Sequence, residues 1–97
     1  MGVIPEEYRD AIRRELDALV DGKRPEMLTW VTAYPARFVR QPDLIWSHAE
    51  SEVIKRADGT AYGVVPLWTA DEAPSDLSAE LEIDRHGAVT ISDVHVL

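Results

Sequence analysis

Histidines and carboxylates are the residues of this chain whose types and spacing could do chemistry. His95 stands two residues after Asp93, so both side chains would share one face of a regular strand. An Asp–His pair can transfer protons, either as Asp93 with His95 or as Asp76 with His48. With His48 the same pair could ligate a metal, but the spacing does not require the ligands to converge. We therefore predict no catalytic residue and no metal site.

The familiar catalytic signatures are absent from the 97 residues. The sequence contains no Gly-x-Ser-x-Gly, His-Glu-x-x-His, Gly-x-Gly-x-x-Gly or P-loop motif. It contains no cysteine, which excludes disulfides, thiolate zinc sites and cysteine nucleophiles. We expect a domain that is not an enzyme and carries no cofactor.

The negative charge is concentrated in the second half of the chain. The net charge is −8, of which residues 58–97 carry −7, with Arg85 as their only basic residue. We expect no nucleic-acid or membrane partner, because both surfaces require clustered Lys and Arg. A basic protein partner is the expectation instead, although a solvated face that protects a strand from aggregation would have the same composition. Lys55 or Arg56 from a neighbouring strand could neutralise part of this acidic face, which would weaken the case for a partner. The residues predicted to bind the partner are Asp71, Glu72, Asp76, Glu80, Glu82 and Asp84.

Aromatic residues support a different interpretation, in which a cone-shaped domain binds or transforms a small ligand. Aromatic side chains also fill cores, so both alternatives stay open. A third alternative is a homodimer formed through a sheet edge or the outer sheet face. The residues of the pocket would be Trp30, Tyr34, Trp46, Trp68, Asp93 and His95.

The elements that must position these residues begin with a helix over about residues 5–21. Apolar residues from Tyr8 to Val20 recur there at steps of three and four. Residues 23–48 are punctuated by prolines but are too apolar for a flexible linker. Within that segment Pro25 could open a short second helix, and residues 42–46 could form either a single helical turn or a loop.

An antiparallel sheet is predicted from about residue 48 onward. A strand over residues 49–56 ends at Asp58-Gly59, a dipeptide typical of a type I′ turn in which both central residues have positive φ. The chain returns over residues 61–67, where Pro66 should face an edge or a bulge because it has no N–H to donate.

The last hairpin is predicted residue by residue. Apolar and polar residues alternate over residues 77–84, and Arg85-His86-Gly87 fits a three-residue loop. A β-bulge near Ser92-Asp93 restores the alternation. The predicted pairs are Asp84 with Ala88, Ile83 with Val89, Leu81 with Ile91, Glu80 with Ser92, Ala79 with Val94, and Leu77 with Val96.

Three segments of the sequence form a recognisable pattern when they are taken together. The segments are LWTADE at residues 67–72, SDL at residues 75–77 and DVHVL at residues 93–97. They resemble the C-terminal signature of a small bacterial family of unknown function, in which LWTAEE and SDL lead into a strand pair ending in DIHVL. The resemblance implies a bacterial, soluble, single-domain α+β protein and implies no activity.

These observations predict one α+β domain over residues 1–97. Its N-terminal helix packs on a curved antiparallel sheet of about four strands, similar by analogy to the cystatin-like and nuclear-transport-factor-2-like cones. No apolar run reaches the roughly 20 residues of a membrane span, so we expect a cytoplasmic protein. The most concrete predicted function is that of an acidic module that neutralises a basic toxin, as bacterial immunity proteins do.

Overall fold

The computed structural model describes residues 3–23, 38–70 and 72–96. These described residues form one α-helix, a turn of 3-10 helix at Asp43–Trp46, and four strands. The strands form one open antiparallel sheet in the order β1-β2-β3-β4. The predicted α+β class is confirmed. The main elements are α1 (Glu6–Val20), β1 (Glu52–Lys55), β2 (Ala61–Pro66), β3 (Leu77–Ile83) and β4 (Val89–Val96).

Helix α1 is amphipathic, and its apolar face forms one wall of the core. Ile12, Leu16 and Leu19 are buried, as their spacing predicts. The helix begins after Pro5, with acidic residues in its first turn that complement the helix dipole. Gly22, at a φ of 77°, follows the helix at its C-terminal end.

The inward faces of the strands form the other wall of the core. Alternate residues of β2 and β3 are buried, which is the period of two expected for a sheet covered on one side. The backbone N–H of Ile4 donates to the carbonyl of Trp46 at 2.8 Å, which ties the start of the chain to the 3-10 turn. The sheet residues of the core are Val65, Leu77, Ala79, Leu81, Ile91 and Val94.

Gln41 is a buried polar residue that fixes the segment leading into the 3-10 turn. Its amide nitrogen donates to the carbonyls of Val39 (2.7 Å) and Trp68 (3.0 Å). Its amide oxygen accepts from the N–H of Trp68 at 2.7 Å. One side chain thus satisfies both backbone groups of Trp68, where strand pairing has ended. Of the two alternatives for residues 42–46, the structure has the single helical turn, as 3-10 helix, and the predicted helix at Pro25 lies outside the described residues.

The two hairpin turns have the same construction. Each places a glycine at positive φ, Gly59 at 90° and Gly87 at 84°. No non-glycine residue in the described ranges has positive φ, so the type I′ prediction for Asp58-Gly59 is wrong. The Asp58 carboxylate instead accepts hydrogen bonds from the N–H and the hydroxyl of Thr60, and one left-handed residue is sufficient in a three-residue loop.

Pro66 lies at a position where no neighbouring strand would accept a hydrogen bond from a backbone N–H. It is the last residue of β2, and β1 pairs no further along β2 than Val64. The next residue donates its N–H toward β3, from Leu67 to the carbonyl of Leu77. The nitrogen of Pro66 therefore faces the side on which the neighbouring strand has ended, as predicted for an edge position.

The pairing of β3 with β4 follows the predicted register with one correction. The pairs Ile83–Val89, Leu81–Ile91, Ala79–Val94 and Leu77–Val96 are confirmed, and so is the bulge. The extra residue of the bulge is Ser92, so Asp93 rather than Ser92 lies opposite Glu80. This one-residue difference decides the charge pattern of the outer face.

Candidate functional site

The outer face of the sheet carries the sheet carboxylates, because residues adjacent along a strand point to opposite sides. Cross-strand pairing joins Glu52, Val64, Glu80 and Asp93 into one row across all four strands. The next row toward the hairpin turns joins Ile54, Tyr62, Glu82 and Thr90. Acidic residues thus lie in both rows of this face.

Glu82 is neutralised within the chain. The guanidinium of Arg56 donates to both of its carboxylate oxygens, at 2.8 and 3.0 Å. These hydrogen bonds hold the pKa of Glu82 below its ordinary value and raise the pKa of Arg56. Glu82 therefore contributes little net charge to a docking surface.

Asp84 has a structural role in the β3–β4 turn. Its carboxylate accepts the N–H groups of His86 (2.8 Å) and Ala88 (3.0 Å). Hydrogen bonds from Ala88 and then His86 lower the pKa of Asp84. The carboxylate is exposed, but its Oδ1 atom already accepts both of these backbone N–H groups.

Glu80, Asp93 and His95 form a cluster at the bulge, which we call the bulge triad. The Nδ1 atom of His95 lies 3.5 Å from Glu80 Oε2 and 3.4 Å from Asp93 Oδ2. The side chains of Glu80 and His95 are 28% and 31% exposed, and that of Asp93 is 54% exposed. The structure thus brings together the predicted Asp93–His95 pair and adds Glu80 to it.

Tyr62 holds the Glu80 carboxylate from the neighbouring strand. Its hydroxyl donates a hydrogen bond to Glu80 Oε1. This bond, partial burial and the nearby negative charges of Glu80, Glu82 and Glu52 raise the pKa of Tyr62 to about 12. Tyr62 therefore remains a neutral donor at any physiological pH.

The remaining predicted partner-binding residues precede β3. Glu72 and Asp76 are exposed. The connection that contains them runs from the end of β2 at Pro66 to the start of β3 at Leu77. Ser78 of β3 pairs with Pro66 on one side and with His95 on the other, so His95 lies at the same end of the sheet. Glu72 and Asp76 thus belong to the connection at the end of the sheet nearer the bulge triad, and Asp71 lies outside the described residues.

Charge on the outer face is therefore uneven from one end to the other. The hairpin-turn end contains Arg56 and Arg85 together with Glu82 and Asp84. We call the carboxylates at the other end of this face the acidic end; they are Glu52, Glu72, Asp76, Glu80 and Asp93. Within residues 3–23, 38–70 and 72–96, no Lys or Arg forms an ion pair with any of them.

The predicted aromatic residues have separate surroundings where they are described. Trp68 is 8% exposed and belongs to the core, where its ring meets His48 edge-on at 5.7 Å between centroids. Trp46 is half-buried beneath the guanidinium groups of Arg9 (5.8 Å) and Arg13 (5.1 Å), a cation–π arrangement. Trp30 and Tyr34 lie outside the described residues, so the aromatic pocket stays a prediction.

Two surface hollows are formed near the hairpin turns. The larger, about 310 Å³, lies between the start of α1 and both turns and is lined in part by Tyr8, Arg85 and His86. The smaller, about 180 Å³, is lined in part by Thr60 and Thr90. Neither contains a residue of the predicted aromatic pocket.

His48, the other histidine considered for catalysis, has a local role. Its Nδ1 accepts the N–H of Glu50 at 3.1 Å, which shapes the turn before β1. No hydrogen bond or ion pair joins it to Asp76 in the described part of the chain. The pairing considered from the sequence is therefore not formed there.

The sequence does not predict the bulge triad as a unit. Spacing alone joins Asp93 with His95, and alternation assigns Glu80 separately to the acidic face, because Ser92 is expected opposite Glu80. The signal that could have joined them was the ambiguity of the bulge: either Ser92 or Asp93 could be the extra residue. Only the observed pairing of Glu80 with Asp93 decides between them.

Comparison with known proteins places the chain in a family. None of the curated proteins and none of the solved structures gives a match. In the described residues, no helix is both long enough and apolar enough to cross a membrane. A family profile described as a domain of unknown function, DUF7668, matches residues 3–97. The chain therefore belongs to the DUF7668 family.

Proposed function

We propose that this domain is a non-enzymatic binding module whose acidic end docks a basic protein partner. The observation that carries the proposal is the pairing of Glu80 with Asp93, two carboxylates held directly opposite each other on adjacent strands. Like charges in that position destabilise a sheet. A cationic partner would convert this cost into favourable interaction energy.

The distribution of internal ion pairs supports this placement. Arg13 pairs with Asp43, Arg40 with Asp17 and Asp21, and Lys55 with Glu7. These cations neutralise the helix side of the molecule. Among the described carboxylates of residues 72–96, Glu82 alone pairs with an arginine, so most of the negative charge of this segment remains on the sheet and its connections, where it would accelerate the approach of a basic surface.

The proposed surface differs in its members from the six-residue set expected from the sequence. Glu82 and Asp84 already have partners within the chain, whereas Glu52 and Asp93 add carboxylates that the sequence analysis did not include. A basic toxin neutralised in the manner of a bacterial immunity protein is the most concrete form of the partner, and a bacterial cytoplasm is the setting this form implies.

The test compares two variants of equal net charge. In the face variant, Glu52, Glu72 and Asp76 are changed to glutamine or asparagine, and in the helix variant the same changes are made at Glu6, Glu7 and Asp10 of α1. Native-host extract is passed over wild type and both variants. A basic protein retained by wild type and by the helix variant but lost with the face variant supports the proposal.

Equal retention by both variants would contradict the proposal, because the acidic end would then have no special role. Sedimentation of the pure protein at several concentrations is the companion measurement. Self-association that the face variant abolishes would identify a second copy of this chain, and not a basic partner, as the occupant.

A further inference from the structure

We propose that Glu80, Asp93 and His95, the bulge triad, form a binding site for a divalent transition-metal ion, best fitted by Zn²⁺. Each residue offers one ligand atom, and the three atoms all lie within 4.8 Å of one another. Two carboxylates and one imidazole are a donor set that suits Zn²⁺, and the imidazole favours transition metals over Mg²⁺ or Ca²⁺.

The distances from the histidine nitrogen to the two carboxylate oxygens fit a shared metal ion better than direct hydrogen bonds. Zinc bonds to nitrogen and oxygen of about 2.0–2.2 Å place adjacent tetrahedral ligand atoms about 3.4 Å apart. The Nδ1 atom of His95 lies 3.5 Å from Glu80 Oε2 and 3.4 Å from Asp93 Oδ2. Good N–H···O hydrogen bonds are shorter, at about 2.7–3.2 Å.

A second observation is the state of the histidine nitrogen. Nδ1 of His95 is buried from water and has no hydrogen-bond partner, although two carboxylate oxygens lie beside it. A buried polar atom without a partner costs free energy and calls for an explanation. A metal ion among the three ligands would use the Nδ1 lone pair and separate the two carboxylates with positive charge.

The two carboxylates are held in place by their other oxygens. The hydroxyl of Tyr62 donates to Glu80 Oε1, and the N–H of Val94 donates to Asp93 Oδ1 at 2.9 Å. Oε2 and Oδ2 remain directed toward His95. Outer hydrogen bonds of this kind orient metal ligands before the metal arrives, which limits the entropy lost on binding.

The position of the triad gives the site an open side. Three protein ligands leave the fourth tetrahedral position to water or to a donor atom of another molecule. Glu80 and Asp93 are shared with the proposed docking surface, and a metal ion bound to them would reduce the negative charge of that surface. The docking test changes Glu52, Glu72 and Asp76, which are not ligands of the triad, so the two proposals are tested on different residues and either can fail while the other stands.

Zinc titration of the untagged, full-length protein, stripped with a chelator, tests the site. We expect saturable binding of one Zn²⁺ per chain with a dissociation constant of about 10 µM or tighter, weaker than the four-ligand structural sites. Co²⁺ should give the visible absorption typical of tetrahedral coordination. In nitrogen NMR spectra, Zn²⁺ should move the Nδ1 resonance of His95.

Variants separate the triad from incidental surface binding. Asp93→Asn and His95→Ala should each weaken Zn²⁺ binding at least about 10-fold, and Tyr62→Phe should weaken it by a similar factor through Glu80. His86→Ala removes an exposed histidine in the hairpin turn and should leave affinity unchanged; circular dichroism confirms the folding of every variant. Absence of one-to-one binding, or loss of binding in His86→Ala and retention in His95→Ala, would overturn the proposal.

Discussion

Deletion of Ser92 should leave the fold almost intact, an unusual outcome for removing a residue from the middle of a strand. A deletion normally turns every later side chain to the other face of the sheet. Here Ser92 is the extra residue of the bulge, and its neighbours Ile91 and Asp93 pair with the consecutive residues Leu81 and Glu80. The shortened strand would therefore keep every cross-strand pair.

The expected cost follows from the contacts that are lost. Ser92 is exposed, and its hydroxyl donates to the Glu80 carbonyl at 3.2 Å. Loss of one exposed hydrogen bond costs about 0.5–1.5 kcal/mol. With an allowance for reduced local twist, the free energy of unfolding should fall by less than about 2 kcal/mol.

Deletion of Val94 is the matched control. Val94 is fully buried, and burial of a valine side chain is worth about 1.5–3 kcal/mol. Its removal would also move His95 to an inward position, which adds about 1–3 kcal/mol for a polar group without a partner. The sum is a large part of the 5–15 kcal/mol typical of such domains.

Urea unfolding followed by tryptophan fluorescence and circular dichroism measures both deletions. With a slope of about 1–3 kcal/mol per molar urea, loss of Ser92 should lower the midpoint by about 1 M or less. Loss of Val94 should lower it far more or prevent folding. Equal destabilisation by the two deletions would refute the register on which the bulge triad depends.

Two further predictions concern groups on either side of the sheet. Gln41→Ala leaves the N–H and carbonyl of Trp68 without their partner, so it should cost about 2–5 kcal/mol of unfolding free energy. Arg40→Ala, at the neighbouring exposed position, should cost much less, because exposed ion pairs contribute little to stability. Urea midpoints compare the two variants, and equal losses would contradict the role of Gln41. Tyr62 should contribute pH-dependent stability: its pKa is raised from 10.0 to about 12 in the folded state, so the contribution is complete below about pH 10 and is lost as the pH rises through 12. The stability difference between wild type and Tyr62→Phe, measured at pH 8 and pH 11, should therefore shrink at the higher pH; a constant difference would show that the hydroxyl does not donate to Glu80.

Much of the fold was accessible from sequence because its determinants are local. The helix was predicted to within a residue of each end, since its apolar spacing and terminal proline and glycine act over a few residues. The register of β3 with β4 followed from alternation and the length of one loop. The Asp58-Gly59 turn was assigned the wrong type, because several turn geometries accept that dipeptide and the flanking strands select among them.

The charge balance and the acidic outer face were determined by the sequence alone, because alternation along a strand is enough to assign a side chain to a face. Which of those charges remain available was decided only by tertiary structure. Arg56 reaches Glu82 across 26 positions of the chain. The sequence offered Lys55 or Arg56 as a neutralising residue, but no local pattern selects between them or identifies the carboxylate. The bulge likewise placed Asp93 beside Glu80 and within reach of His95, because the choice of the extra residue depends on how the whole strand packs against its neighbour and the core.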